Sequence, residues 1–227
     1  MPEDLVKYLS KFITEKRLNT FYEVIKHRTR YITVVLEDIY QPHNASAVLR
    51  SCDCFGIQDI HIIENDNKYR LNPDVALGSS KWINLIKHNE LSNNSLSAIQ
   101  LLKKSGYRII ATTLQNNKIT MLEDFDLGKG KVALFFGTEM RGLSKTIISN
   151  ADEFLQIPMH GFTESLNISV AAAISIQHLT TILHQSKINW QLKVNEKNEI
   201  LRNWLRASIK NYEMLEKRYY IENPASK

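Results

Sequence analysis

Apolar residues gather in short β-branched runs, separated by longer stretches in which they recur at helical spacing. Ile32-Thr-Val-Val-Leu36 is bounded by polar residues and predicts a buried strand. Ile60-His-Ile-Ile63, Arg108-Ile-Ile-Ala-Thr112, Val132-Ala-Leu-Phe-Phe136 and Phe154-Leu-Gln-Ile157 read the same way, Val132–Phe136 most strongly. Between them lie helical patterns. Pro42 and His43 predict a turn, and Asn44 an N-cap for a helix to about Phe55. In that helix Ala45, Val48, Leu49, Cys52 and Phe55 share one face, and Gly56 ends it. Further helices are expected over Ser95–Ser105 (stopped by Gly106), Lys145–Asn150 and Asn167–Ser186. Residues 65–94 read as a long polar excursion containing Gly78-Ser-Ser-Lys-Trp82. Alternating strands and helices predict a doubly wound α/β fold with a mostly parallel sheet.

The two ends differ from this centre. Glu3–Lys26 reads as one or two amphipathic helices, and Glu196–Arg218 as one long helix. The long helix would bury Ile200, Trp204, Leu205, Ile209, Tyr212 and Leu215, with Arg202, Arg206 and Lys210 every four residues on another side. The net charge of +5 follows the same division. Residues 1–30 hold seven Lys/Arg against four Asp/Glu, residues 186–227 nine against five, and residues 31–185 thirteen against fifteen. Solvated helix faces account for either end alone; both together fit terminal helices that hold a polyanion near a site in the middle domain.

Composition narrows the class. With 43% hydrophobic and 23% charged residues the chain is an ordinary globular one, and no apolar run approaches the ~20 residues of a membrane span. The N-terminus lacks a signal-peptide core. Cys52 and Cys54 point in different directions on a helix, which favours free thiols in a reducing cytosol and a cytoplasmic protein. No His or Cys flanks them at metal-ligand spacing, so no metal is expected.

Several familiar sites are missing. No G-x-G-x-x-G follows the first strand, and no P-loop, G-x-S-x-G elbow or H-E-x-x-H is present. Three constellations remain, each at the end of an expected strand, where open α/β sheets bind their ligands. The first is Asn44 to Arg50; Arg50 lies about 240° around the helix from Asn44, and a surface ion pair is its plainer reading. The second is Phe136-Gly-Thr-Glu-Met-Arg-Gly-Leu-Ser144, with Glu139 in a Gly-bracketed turn, where a helix-capping acid is the plainer role. The third, Ile157 to Ala173, is a Ser/Asn/Gly-rich loop running directly into Ala-Ala-Ala, the composition of a tight ligand-holding loop.

In this order and spacing the three segments resemble the TrmH-type SPOUT RNA 2′-O-ribose methyltransferases. The family motifs N-x-x-A-x-x-R, F-G-x-E-x-x-G-[LV]-S and I-P-M-x-G-x-x-x-S-L-N-x-S-V-A-x-A are filled at every defining position. The likeness extends through Pro42-His43, Gly78–Trp82 and Ala111–Leu114 and covers nearly all of residues 31–185. It implies a methyltransferase domain over 31–185 whose C-terminal part is tied in a deep trefoil knot. Basic helical extensions over 1–30 and 186–227 flank it. It also implies S-adenosyl-L-methionine as methyl donor, cradled around Thr112, Thr113, Gly137, Ile157, Met159 and Leu166, and a homodimer that completes the active sites.

By the same resemblance Arg50 is assigned to activate the ribose 2′-hydroxyl, with Asn44, Glu139, Ser165 and Asn167 around it. Since an arginine is almost never deprotonated, binding of the adjacent phosphate and stabilisation of the developing alkoxide is the chemically safer role. Ribosomal members of the family often carry an extra N-terminal RNA-binding domain, for which some 30 residues before the first strand leave no room. The expected substrate is therefore tRNA, at guanosine 18 of the D-loop, with Arg17, Lys26, Arg28, Arg30, Arg202, Arg206 and Lys210 as phosphate contacts. Ribosomal RNA is the alternative substrate, and a non-catalytic RNA-binding relative a further one. The chain departs from some relatives in carrying Thr180, Thr181 and His184 where they have arginines.

Overall fold

The computed structural model describes residues 3–113, 119–138 and 141–224. It forms two compact units, one of Thr29–Trp190 and one in which Met1–Arg28 joins Gln191–Lys227. The positive charge belongs to the second. By sequence it holds fourteen Lys/Arg against nine Asp/Glu, whereas the larger unit holds fifteen of each.

The smaller unit is helical: α1 (Glu3–Ser10) and α2 (Glu15–Ile25) come from the start of the chain. The larger unit contributes β1 (Ile32–Glu37), α3 (Pro42–Cys54), β2 (Asp59–Ile63), α4 (Pro73–Ala76), β3 (Asn84–His88), α5 (Asn94–Lys104) and β4 (Arg108–Thr112). It continues with β5 (Ile119–Met121), β6 (Val132–Phe136), α6 (Lys145–Asn150), β7 (Glu153–Gln156) and α7 (Ile168–Gln185). Helices α8 (Val194–Ser208) and α9 (Tyr212–Glu222) return to the smaller unit.

The sheet order is β3-β2-β1-β6-β4-β7-β5, and every pairing is parallel. Strands β1 and β6 lie at its centre, buried along their whole length, which is why both read as unbroken apolar runs. Their alternate side chains feed two cores. Val34, Leu36, Leu134 and Phe136 pack with Val48, Leu49, Ala172, Ile176 and Leu179 of α3 and α7. Val35, Ala133 and Phe135 pack on the other face with Ala98, Ile99 and Leu102 of α5 and Ile147 of α6. Because all strands run one way, Glu37, Thr112, Phe136 and Gln156 end at the same edge of the sheet.

Three expectations change. Strands β3 and β5 fall where no strand is read from the sequence, β3 inside the polar excursion; both are sheet edges and mostly half-buried. Helix α3 begins at Pro42, with Gln41 in the N-cap position, so Asn44 sits inside the first turn and does not cap it. The single helix over 196–218 is two. Asn211 adopts φ 58°, a left-handed conformation that Asn tolerates better than most residues, and this breaks α8 from α9. Lys210 consequently lies in the turn, off the row formed by Arg202 and Arg206.

In the helical unit Trp204, Leu205 and Ile200 of α8 form the core with Leu5 and Leu9 of α1 and Phe21 of α2. The Phe21 and Trp204 ring centroids are 5.4 Å apart. No helix among the described residues is long and apolar enough to cross a membrane.

Candidate active site

The three motif segments converge at the C-terminal edge of the sheet. Thr112 and Thr113 from the end of β4, Phe136 from β6, Gln156 from β7, then Ile157, Met159, Ser165 and Leu166 and finally Ala171 and Ser175 of α7 line a half-open cavity. Five of the six residues expected to hold the cofactor line it. The sixth, Gly137, acts by having no side chain: a Cβ there would stand 2.2 Å from the carbonyl carbon and oxygen of Gly142 and 2.4 Å from the nitrogen of Leu143. The loop after β6 folds that tightly because the Thr138 N–H donates to the Gly142 carbonyl at 3.0 Å and the Gly142 N–H returns the bond at 2.9 Å. Gly142 takes φ 66° to close the turn. Glu139 lies outside the described residues. The capping role considered for it is filled by Ser144, whose hydroxyl accepts from the Ile147 N–H.

The walls hold together through groups already committed elsewhere. The Thr112 hydroxyl donates to the Phe135 carbonyl at 2.7 Å, and the Thr113 N–H to the Leu155 carbonyl at 3.2 Å, which leaves strand-end backbone facing the cavity. Ser175 lines the cavity, and its hydroxyl is buried with no hydrogen-bond partner among the described residues. A wall of apolar side chains interspersed with Thr112, Thr113, Gln156, Ser165 and Ser175 suits a ligand with its own polar groups.

Asn167 N-caps α7, its Oδ1 accepting from the Ser169 N–H at 2.9 Å, while its Nδ2 donates to Asn44 Oδ1 at 3.2 Å. That bond joins the first and third motifs across 123 residues of sequence. Asn44 is buried, and its own Nδ2 donates to Gln41 Oε1 at 3.2 Å. Asn44 also lines a second, wider groove of about 1860 Å³, open to solvent, along the other side of the same motifs. Phe136 faces the cavity and Thr138 the groove; Leu166 faces the cavity and Ile168 the groove. Gly137 and Asn167 thus stand at the partition between the two spaces.

Arg50 is elsewhere. It is exposed on α3, lines neither space, and has no hydrogen-bond or ion-pair partner among the described residues. The surface ion pair considered for it is therefore absent there.

Glu37 is a site residue that the sequence reading overlooks. It is 2% exposed at the end of β1; its Oε2 accepts from the Ser144 N–H and its Oε1 from the Ser144 and Ser95 hydroxyls, at 2.7, 2.7 and 2.5 Å. One carboxylate thereby fixes the exit of the second motif to β1 and α5. A charged residue directly after an apolar strand is the signal that could have found it.

The seven expected phosphate contacts divide. Arg17, Lys26 and Lys210 are exposed, Lys26 within 2.6 Å of Glu23. Arg202 is half-buried. Three are engaged with other groups. Arg28 is 2% exposed with its guanidinium 5.4 Å from the Trp204 ring centroid. Arg30 pairs with Asp59 at 2.9 Å. Arg206 is clamped through two nitrogens by Glu216 at 2.7 and 2.8 Å. Each guanidinium serves packing or a carboxylate, and a phosphate would first have to displace that partner.

Comparison with known proteins adds to this geometry. Residues 31–177 match the model of the SpoU rRNA Methylase family. The chain is 45% identical over 219 residues to a tRNA (guanosine(18)-2′-O)-methyltransferase of Borreliella burgdorferi, covering 95% of this chain and 98% of that protein. It is 36% identical over 161 residues to the enzyme of the same name in Thermus thermophilus, covering 71% and 80%. Among solved structures, the TrmH/SpoU tRNA modifying enzyme of A. aeolicus superposes with a TM-score of 0.76 at 28% identity, over 87% of this chain and 98% of that one.

Proposed function

We propose that this chain, which belongs to the SpoU rRNA Methylase family, methylates the 2′-hydroxyl of guanosine 18 in the D-loop of tRNA with S-adenosylmethionine as donor. One observation carries the choice of tRNA. The likeness to the Borreliella enzyme spans 95% of this chain, so it includes the helical unit as well as the methylase segment. That unit also holds the whole excess of positive charge.

The cavity fits the donor. Mostly apolar walls suit the adenosine, and Thr112, Thr113, Gln156, Ser165 and Ser175 supply polar groups among the lining residues. When bound, the donor supplies an electrophilic methyl on a sulfonium. The Asn44–Asn167 pair at the partition orients the ribose. Arg50 stays protonated, binds the neighbouring phosphate and stabilises the charge growing on the oxygen, while that phosphate or water takes the proton.

Arg50 lies outside the cavity of its own chain, and Val170 and Ile174 present an exposed apolar stripe one turn apart on α7. Both features favour a homodimer in which each copy delivers Arg50 to the other's site. The parallel order in which β6 separates β1 from β4, and β7 separates β4 from β5, is compatible with a trefoil knot through the segment after β7. Arg17, Lys26, Arg202 and Lys210 of the helical unit hold tRNA phosphates.

Mass mapping of ribose methylation on tRNA incubated with the protein and S-adenosylmethionine tests the assignment, with ribosomal RNA transcripts in parallel. A methyl on guanosine 18 is expected. An unmodified D-loop, or preferential labelling of ribosomal RNA, overturns it.

A further inference from the structure

The groove beside Asn44 contains an aromatic ring with no assigned role. Tyr40 is 77% exposed and lines the groove, and neither its ring nor its hydroxyl has a partner among the described residues. The exposure does not come from a loose loop. Two residues earlier Asp38 is pinned: its N–H donates to the Ile63 carbonyl at 2.9 Å. Its Oδ1 accepts from the N–H groups of Asn65, Asp66 and Asn67 at 2.7, 2.8 and 3.2 Å. Just after it, Gln41 bonds Asn44 and Pro42 fixes its own φ. The ring is thus held out, face available, on an anchored segment four residues before the asparagine that meets Asn167.

The cations Arg141 and Lys145 line the same groove. Arg141 is 86% exposed at the side chain, and Asp66 lies 4.0 Å away, a distance at which it barely competes for the guanidinium. The groove is also lined by Glu37, Asp38 and Asp66, but Glu37 and Asp38 are bonded within the protein. The flat apolar face, the Asn44 amide and the two cations that remain match one nucleotide taken out of its stack: base, ribose and flanking phosphates. An enzyme working on a ribose buried in folded RNA must offer the released base a substitute for the stacking it loses.

We propose that Tyr40 is the platform on which the target base stacks when its ribose lies beside Asn44. The inference rests on the methyltransferase reading and adds a positioning residue to it. Stacking on one ring is tolerant of base identity, so Tyr40 contributes to capture of the nucleotide and leaves discrimination of guanine to other contacts.

The test combines kinetics with a direct optical readout. Tyr40→Ala is expected to lower kcat/KM for tRNA about 10- to 100-fold, with S-adenosylmethionine binding and subunit association unchanged. Tyr40→Phe, which keeps the ring, is expected to restore the rate. With 2-aminopurine in place of the target guanosine, emission in the complex should be quenched for wild type and Tyr40→Phe and bright for Tyr40→Ala. Equal emission from all three proteins, undiminished kcat/KM in Tyr40→Ala, or a loss traced to cofactor binding or to dimer dissociation overturns the platform alone. A wild-type protein that transfers no methyl to tRNA overturns both the platform and the function on which it rests.

Discussion

A side chain at position 137 would collide with the backbone of its own loop. The 2.2 Å approach of a Cβ to Gly142 leaves no flexible atom to move aside. Gly137→Ala is therefore expected to lose about 1–3 kcal/mol of stability in urea unfolding, and to weaken S-adenosylmethionine binding in calorimetry because the loop forms one wall of the partition. A second residue acts through its proton. His61 is buried, its Nδ1 lies 2.9 Å from His88 Nε2, and burial, then the neighbouring imidazole, lowers its pKa to about 4. Between that value and 6.5 the unfolded chain binds the proton and the folded chain does not, so stability is complete above the unfolded value and falls as pH drops. The urea midpoint should fall from pH 7 to pH 5 by the equivalent of about 2 kcal/mol, and His61→Gln should flatten that dependence.

At the scale of elements, the site depends on joints between secondary structures more than on any one of them. Glu37 joins β1 to α5 and to the start of α6, and all three of these bonds are to a charged acceptor in a buried position. Glu37→Ala leaves those donors unsatisfied, with an expected loss of about 3 kcal/mol. Because Ser144 follows directly on Gly142 and Leu143, the same variant should bind S-adenosylmethionine more weakly while α7 and its Asn167 cap remain formed. Unchanged cofactor affinity in a folded Glu37→Ala protein would show that the second motif keeps its shape without this anchor. Helix α3 makes the complementary point. Pro42 starts it, which frees the Asn44 side chain from capping and makes it available to Asn167.

For the whole molecule the decisive question is where each half of the site comes from. If Arg50 acts across a dimer, mixing Arg50→Ala with Asn167→Ala subunits creates hybrid dimers in which one of two sites is intact. Each variant alone should be nearly inactive, and the mixture, after subunit exchange, should recover up to about a quarter of wild-type turnover by random pairing. Recovery is absent if Arg50 serves its own chain, because every hybrid site then lacks one residue. The charge division bears on the same proposal: with +5 on the helical unit and a neutral methylase unit, tRNA affinity is expected to fall with added salt through the helical unit's exposed lysines and arginines.

Local pattern was enough for β1, β2, β4, β6 and β7, for α5, α6 and α7, and for the three motif segments, because each is set by residues close together in the chain. Edge strands β3 and β5 escaped because a half-buried strand of five or three residues carries little alternation to read. The same limit applies to charged side chains. Arg17, exposed, and Arg28, packed on Trp204, look alike in sequence, since burial depends on a ring 176 positions away from Arg28. By itself the sequence determined the central strands and the helices between them, and its motifs carried the family resemblance on which the proposed chemistry rests. The tertiary structure alone decided which groups meet: Asn44 with Asn167, Glu37 with Ser144, and Tyr40 held open beside them. Those encounters depend on strand order and helix packing, which join residues that no local periodicity relates.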